Sequence, residues 1–363
     1  MPYDPLYTLT PEIASDLMRI ESFNQAVSTL PITPRVLANL RETARLFATH
    51  YSTMIEGNRL TQDQVGAVIE GAQHFPGRER DESEVKGYYA ALDELERTVQ
   101  AQKKLTETTV QKLHALVMAG GKTRVRPTPY RDGQNVIRDG KSGAIVYMPP
   151  EAKDVAILMG ELVAWIRQGS IGNFPVPLKA AIVHYQFATI HPYYDGNGRA
   201  ARLLTNLVLH LGGYGLNGLY ALEEYYALDL RSYYDALTVG PSHNYYMGRA
   251  KADITKWIAY FIQGMATSFA KVHAQAKREA ERGSKDQSKL LRNLDGRQRK
   301  VLTLFEKSRE ITATEIAELF GFKSRNAALV CRRWEEVGFI EATDTAKKTR
   351  RYQLADPYEA LIA

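Results

Sequence analysis

The stretch Ile190-His191-Pro192-Tyr193-Tyr194-Asp195-Gly196-Asn197-Gly198-Arg199-Ala200-Ala201-Arg202, continued by the apolar run Leu203 to His210, decides how this chain is read. Gly196 and Gly198 bracket Asn197 and permit positive φ, so successive backbone N–H groups can curl into a concave nest where a helix begins. The helix dipole places roughly half a positive charge there, and Arg199 and Arg202, three apart and so on one face, add two full charges. A turn of this kind holds phosphates. The missing Gly-Lys-Ser/Thr argues against a Walker loop. Asp195 offers a hard oxygen ligand to the Mg²⁺ that accompanies a nucleotide polyphosphate. His191, with an unperturbed pKa near about 6.5, can take a proton from an incoming hydroxyl while metal and nest stabilise charge on a transferring phosphorus. Taken singly, these are an ordinary loop, a structural histidine and a solvated face; together in one short segment they form a reaction site.

Composition sets the frame. The 363 residues, 44% of them hydrophobic, suffice for two or three domains. No apolar run approaches the roughly 18 residues of a membrane span, and the start MPYDPLYTLT lacks a secretory signal, so the expectation is a soluble cytoplasmic protein with no membrane partner. The lone Cys331 excludes an internal disulfide and a multi-cysteine zinc site. The net charge of +6 lies wholly in residues 271–363, which hold 20 Lys and Arg against 14 Asp and Glu and leave 27 of each sign in the first 270. That asymmetry marks a separate C-terminal unit whose first candidate partner is a polyanion.

Helical periodicity dominates the first 120 residues, as in Pro34 to Tyr51 and Glu82 to Gln100. Glycines and prolines then punctuate two short extended runs, Gln134 to Arg138 and Ala144 to Met148, which predict an irregular hairpin. Helical patterning resumes at Ala152 to Gln168 and continues to about Ala270, without the βαβ alternation of a Rossmann sheet. Residues 271–294 read as a linker or solvated helix. Beyond them, Asp295 to Lys307, Thr312 to Phe320 and Ser324 to Val337 predict three helices, followed by extended Gly338 to Glu341 and Thr349 to Leu354: a winged helix-turn-helix.

The segment HPYYDGNGRAAR resembles the Fic (Fido) family signature HxFx(D/E)GNGRxxR at every position but Tyr193, where that family most often has Phe. The resemblance implies a mainly α fold: a Fic-type helical core with a β-hairpin flap, plus the C-terminal winged helix-turn-helix. It implies His191 as general base, Asp195 as Mg²⁺ ligand, Gly196, Asn197 and Gly198 as anion hole, and Arg199 and Arg202 on the nucleotide phosphates. By the same resemblance, the hairpin Gln134 to Pro150 is the flap that aligns a target segment by strand addition. Ile145, Val146 and Tyr147 would flank the nucleotide, and Tyr233 and Tyr234 would lie near its base, although read alone those two tyrosines suit a core. Ser52-Thr53-Met54-Ile55-Glu56-Gly57 is similar to the family's inhibitory motif (S/T)xxxE(G/N). A carboxylate there can form a bidentate pair with Arg202 and displace the γ-phosphate.

The expected organisation is a helical region with the inhibitory motif at 1–110, a Fic catalytic core at 111–270, a linker at 271–294 and a winged helix at 295–363. The expected function is transfer of AMP from ATP to a Ser, Thr or Tyr hydroxyl of a protein, the enzyme itself included, with Mg²⁺ as cofactor and Glu56 as brake. Alternatives are transfer of another nucleotide or of phosphate, removal of AMP, a DNA-binding regulator with a nucleotide-sensing domain, and a metal hydrolase using His184 and His191. In the winged helix, Ser324, Arg325 and Asn326 open the recognition helix, Arg332 and Arg333 follow, and Lys347, Lys348, Arg350 and Arg351 line the wing for DNA or protein. A homodimer is left open.

Overall fold

The computed structural model describes residues 3–138, 142–168, 174–282, 290–291, 293–343, 350–359 and 361–362. It divides into two compact units, Met1–Asn24 with Arg41–Lys271, and Gln25–Leu40 with Val272–Ala363. The inclusion of 25–40 in the second unit is not visible in the sequence, because both stretches read simply as amphipathic helix.

The first unit holds α1 (Pro11–Thr29) up to Asn24, α2 (Pro34–Ile55) from Arg41, and then α3 (Gln62–Ile69), α4 (Glu79–Gln100) and α5 (Glu107–Met118). The hairpin β1 (Ile137–Arg138) and β2 (Ile145–Tyr147) follows, and then α6 (Ala152–Gln168), α7 (Val176–Ile190), α8 (Asn197–Leu211), α9 (Leu222–Leu228), α10 (Leu230–Leu237) and α11 (Thr255–Arg282). Starts are set by local chemistry: Thr61 closes a capping box with Gln64 on α3, and Thr106 and Asp229 cap α5 and α10. The hairpin is shorter than expected and irregular, with Ile137 opposite Tyr147 and Arg138 opposite Ile145. Helix α7 is buried nearly all round, as its sequence VPLKAAIVHYQFATI demands. It packs on α8 and α6, α4 packs on α5 and α8, and the buried Trp257 of α11 donates its indole N–H to the Ala181 carbonyl at 2.7 Å. The core is thus a stack of helices around α7 and α8, and the loop between those two carries the signature. Residues 271–282, read as linker or solvated helix, continue α11.

The second unit has its own core, including Val301, Leu302, Phe305, Ile316, Trp334 and Phe339. Helices α12 (Gly296–Phe305), α13 (Ala313–Phe320) and α14 (Ser324–Glu336) fall within a few residues of their expected spans, and β4 (Ile340–Ala342) and β5 (Arg351–Leu354) follow. An additional two-residue strand, β3 (Ile311–Thr312), completes an antiparallel sheet of order β3-β5-β4. Asp295 and Thr312 form capping boxes, and Gly321 ends α13 in the left-handed region. Arg350 and Arg351, expected to line the wing, lie just before and at the start of β5 and each has an acidic neighbour, Glu335 at 3.0 Å and Glu310 at 3.1 Å. Lys347 and Lys348 lie outside the described residues. Among the described residues, no helix is long and apolar enough to cross a membrane.

Burial holds several imidazoles neutral, pushing His114, His191 and His210 down to about 4 and His184 to about 3. Unfolded histidines titrate near about 6.5, so below that pH the unfolded chain binds protons that the native one refuses. Stability from these groups is therefore full above pH 6.5 and falls between there and about pH 4. Glu223, whose carboxyl burial raises, offsets part of the loss. We predict a lower denaturant midpoint at pH 5.5 than at pH 7.5; an unchanged midpoint would contradict neutral burial of these rings.

Candidate active site

His191 stands at the C-terminal end of α7 with φ 52° and ψ 60°, a left-handed conformation that stops the helix and turns the chain into the signature loop. Its ring is held by the Ala188 backbone, and burial keeps it neutral, so the other ring nitrogen is available as a proton acceptor. The loop is closed by Asn197, whose side chain accepts from Tyr193 N–H at 2.9 Å and donates to Tyr193 O at 2.7 Å. Asn197 is therefore a clamp that shapes the turn, with both ends of its amide spent on the loop itself. Gly196 has φ 74°, and a Cβ there would meet Met118 Sδ at 2.8 Å, so glycine is required twice over.

Arg202 projects from the first turns of α8 and is buried, as is Arg199. Its Nε donates to Ser52 Oγ, and its Nη2 to Ser52 O and Glu56 Oε1, each at 2.8 Å. Burial works most strongly against its charge, but Glu56, Tyr233 and Tyr88 together outweigh that, and the guanidinium is held above its ordinary pKa. The expected bidentate pair with Glu56 is instead a single hydrogen bond from Nη2, which is shared with the Ser52 carbonyl. Glu56 sits in the turn that ends α2, where Gly57 adopts φ 94°. Asn58 braces that turn by donating to Asp81 O at 2.9 Å and accepting from Leu60 N–H at 3.1 Å. The Glu56 carboxylate lies against the N-terminus of α8: a Cβ on Gly198 would come within 2.1 Å of its Oε1. The turn read as an anion hole thus faces an anion supplied by the chain itself.

Asp195 is exposed; its Oδ1 accepts from Gly196 N–H at 2.6 Å and lies 3.5 Å from Arg199 Nη2. No hydrogen bond occupies Oδ2 among the described residues, so one carboxylate oxygen suits a Mg²⁺ ion that takes its remaining ligands from phosphates and water. Among the described residues no cluster of three or more His, Cys, Asp or Glu could hold a metal, which leaves the hydrolase reading without a ligand set. His184 is a core residue, with its ring nitrogens 3.0 Å from Thr205 Oγ1 and Tyr233 Oη.

The remaining expected residues separate. Val146 is exposed, whereas Tyr147, on the opposite face of β2, is buried with its hydroxyl on Thr189 O at 2.7 Å. Ile145, two residues before, is partly buried. Tyr233 is buried among Tyr226, His184 and Trp257, as its core reading required, while Tyr234 is exposed. Tyr193 is buried, stacks on His114 with centroids 3.5 Å apart, and its hydroxyl has no partner among the described residues.

Two positioning residues escaped the sequence reading. The buried Arg131 donates to the carbonyls of His191 (3.0 Å), Gly133 (3.0 Å) and Pro150 (2.5 Å), and its own N–H bonds Pro192 O at 2.9 Å. It ties both ends of the hairpin to the signature loop. His114 holds Asp195 O through Nε2 at 2.8 Å. Neither has a local signal, since each is a lone residue whose partners are distant in sequence.

Residues 104–209 match the sequence pattern of the Fic/DOC family. The chain is 28% identical over 203 residues to a protein adenylyltransferase Fic from Drosophila erecta, covering 55% of this chain and 39% of that protein. It therefore spans about two-fifths of the length of that relative. Its fold is similar to that of a Fic family protein from Desulfovibrio desulfuricans, with a TM-score of 0.60 at 24% identity over 98% of this chain and 99% of the other. A Fic domain-containing signaling protein from Bacteroides thetaiotaomicron gives a TM-score of 0.61 at 22% identity, over 74% and 99% of the two chains.

Replacing Arg131 with Ala would leave buried carbonyls without donors, each costing about 1–3 kcal/mol. The expected result is a lower melting temperature and faster proteolysis within residues 131–150, read by limited digestion; an unchanged cleavage rate would count against the staple.

Proposed function

We propose that the chain is a protein adenylyltransferase of the Fic type that transfers AMP from ATP to a protein hydroxyl and is restrained by its own Glu56. The observation that carries this reading is the seating of the Glu56 carboxylate on Arg202 and over Gly198, where a phosphate would otherwise lie. The match of residues 104–209 and the adenylyltransferase relatives support it.

In this mechanism the target hydroxyl oxygen attacks the α-phosphorus. A new P–O bond forms, the bond to the β-phosphate breaks, and pyrophosphate leaves. His191 takes the hydroxyl proton, for which its neutral form at physiological pH prepares it. The N-terminus of α8, with Gly196 and Gly198, stabilises charge on the phosphoryl oxygens, and Arg199 and Arg202 bind the polyphosphate. Asp195 would hold Mg²⁺, which supplies charge neutralisation on the phosphates. The exposed edge at Val146 would align the target strand. With Glu56 in place Arg202 is engaged, so ATP would bind with its γ-phosphate displaced and its α-phosphorus out of line.

Labelled AMP incorporation in the presence of Mg²⁺ tests this directly. Glu56→Gly should exceed wild type by about 10-fold or more, each 1.4 kcal/mol of relieved competition being worth a factor of ten. His191→Ala should abolish transfer in both backgrounds. Equal incorporation by wild type and Glu56→Gly would remove the brake. In the released variant, kcat/KM should fall on the acid side near pH 4, where His191 charges, rather than near pH 6.5.

A second role is assigned to the C-terminal unit. Its three helices and β3-β5-β4 sheet support a winged helix, and Arg325, Asn326, Arg332 and Arg333 are exposed on or beside α14. We propose that this face binds duplex DNA through phosphates. Affinity should drop steeply between 50 and 200 mM salt, on the order of tenfold for each pair of phosphate contacts; binding indifferent to salt would exclude that mode.

A further inference from the structure

Behind the brake lies a second carboxylate that the proposed reaction does not use. Glu223 of α9 is 1% exposed. Its Oε1 accepts from Tyr88 Oη of α4 and from Asn206 Nδ2 of α8, both at 2.9 Å, while its Oε2 is buried with no hydrogen-bond partner among the described residues. Asn206 is one helical turn beyond Arg202 on α8. The Tyr88 hydroxyl also meets the Ser52 side chain, which accepts from Arg202 Nε at 2.8 Å. A chain of polar side chains, Arg202, Ser52, Tyr88, Glu223 and Asn206, therefore leads from α8 through α2, α4 and α9 to a residue one turn further along α8. Both donors to Glu223 are neutral groups that an ionised carboxylate can accept from; burial raises its carboxyl above the ordinary range, and these donors and the Arg202 charge act against that rise.

The two carboxylates near Arg202 differ in freedom. The Glu56 side chain is 31% exposed and ends a helix turn, so it can swing out; Glu223 is enclosed on every side. A buried guanidinium stripped of its counter-charge is strongly destabilising. Resting on the proposal that Glu56 is a displaceable brake, we infer that Glu223 is the resident counter-charge that keeps Arg202 buried and aimed at the site once Glu56 has left. Glu223 is thus a positioning residue. It makes release of the brake tolerable to the fold, and it shares the Arg202 charge so that the brake is not locked.

The test is a double-mutant cycle on thermal unfolding of the full chain at pH 8, without nucleotide, using Glu56→Gly, Glu223→Gln and the double variant. Gln keeps an acceptor for Tyr88 and Asn206 and removes the charge, placing an NH2 group where Oε2 lay. The double variant should melt lower than the sum of the single effects by about 5 °C, and Mg²⁺ with ATP should raise its melting temperature more than that of Glu56→Gly, since phosphate then supplies the missing charge. Additive shifts would overturn the inference. If Glu223→Gln alone fails to fold, the cycle is run with Glu223→Asp, which keeps the charge: additivity with Glu56→Gly supports the inference, and a coupling of that size overturns it. Because the readout is stability without substrate, its failure is distinct from a failure of the chain to transfer AMP.

Discussion

A guanidinium sealed inside a helical stack must be given negative charge or hydrogen-bond acceptors on all sides, and Arg202 is the place where this chain meets that requirement. Its Nε and Nη2 donate three hydrogen bonds, to a serine side chain and carbonyl from α2 and to a carboxylate from the turn beyond it. The arrangement ties together elements far apart in sequence, and it does so at the start of α8, where the helix end itself favours anions. In the proposed enzyme the same demand makes the site receptive to phosphate and receptive to self-occupation. Both follow from one buried cation.

The signature loop is shaped by a few side-chain bonds to backbone rather than by regular structure. Asn197 spans the turn, His114 and Arg131 hold the carbonyls on its outer side, and the left-handed conformation at His191 breaks α7 at the point where its ring leaves the core. Loops held in this way keep their geometry only while every acceptor has its donor. The same packing that fixes the half-buried ring also reduces its hydration, which lowers the pKa of the imidazole.

The parts legible in the sequence were those encoded locally. Helical spacing gave α2, α4 and α6, turn residues gave the hairpin, and the glycine-bracketed asparagine marked the loop. The three short helices read beyond residue 294 likewise placed α12 to α14 within a few residues. What could not be read was set by partners across the chain. Strand β3 has only two residues and exists because β5 pairs with it. Arg131 has no motif value until His191 and Pro150 are brought beside it. Tyr147 turns into the core because its hydroxyl meets the distant Thr189 carbonyl, and Arg202 divides its Nη2 between Glu56 and the Ser52 carbonyl one turn earlier on α2.

Gly198 carries a consequence for how such a site can change over time. The volume that its absent Cβ leaves open is filled here by a carboxylate oxygen. A methyl group at that position would evict the chain's own carboxylate and obstruct an incoming phosphate oxygen alike. In the proposed enzyme, substitution at this glycine would therefore dislodge the restraint and impair phosphate binding together, whereas a change in α2 or the turn that follows it would touch the restraint alone.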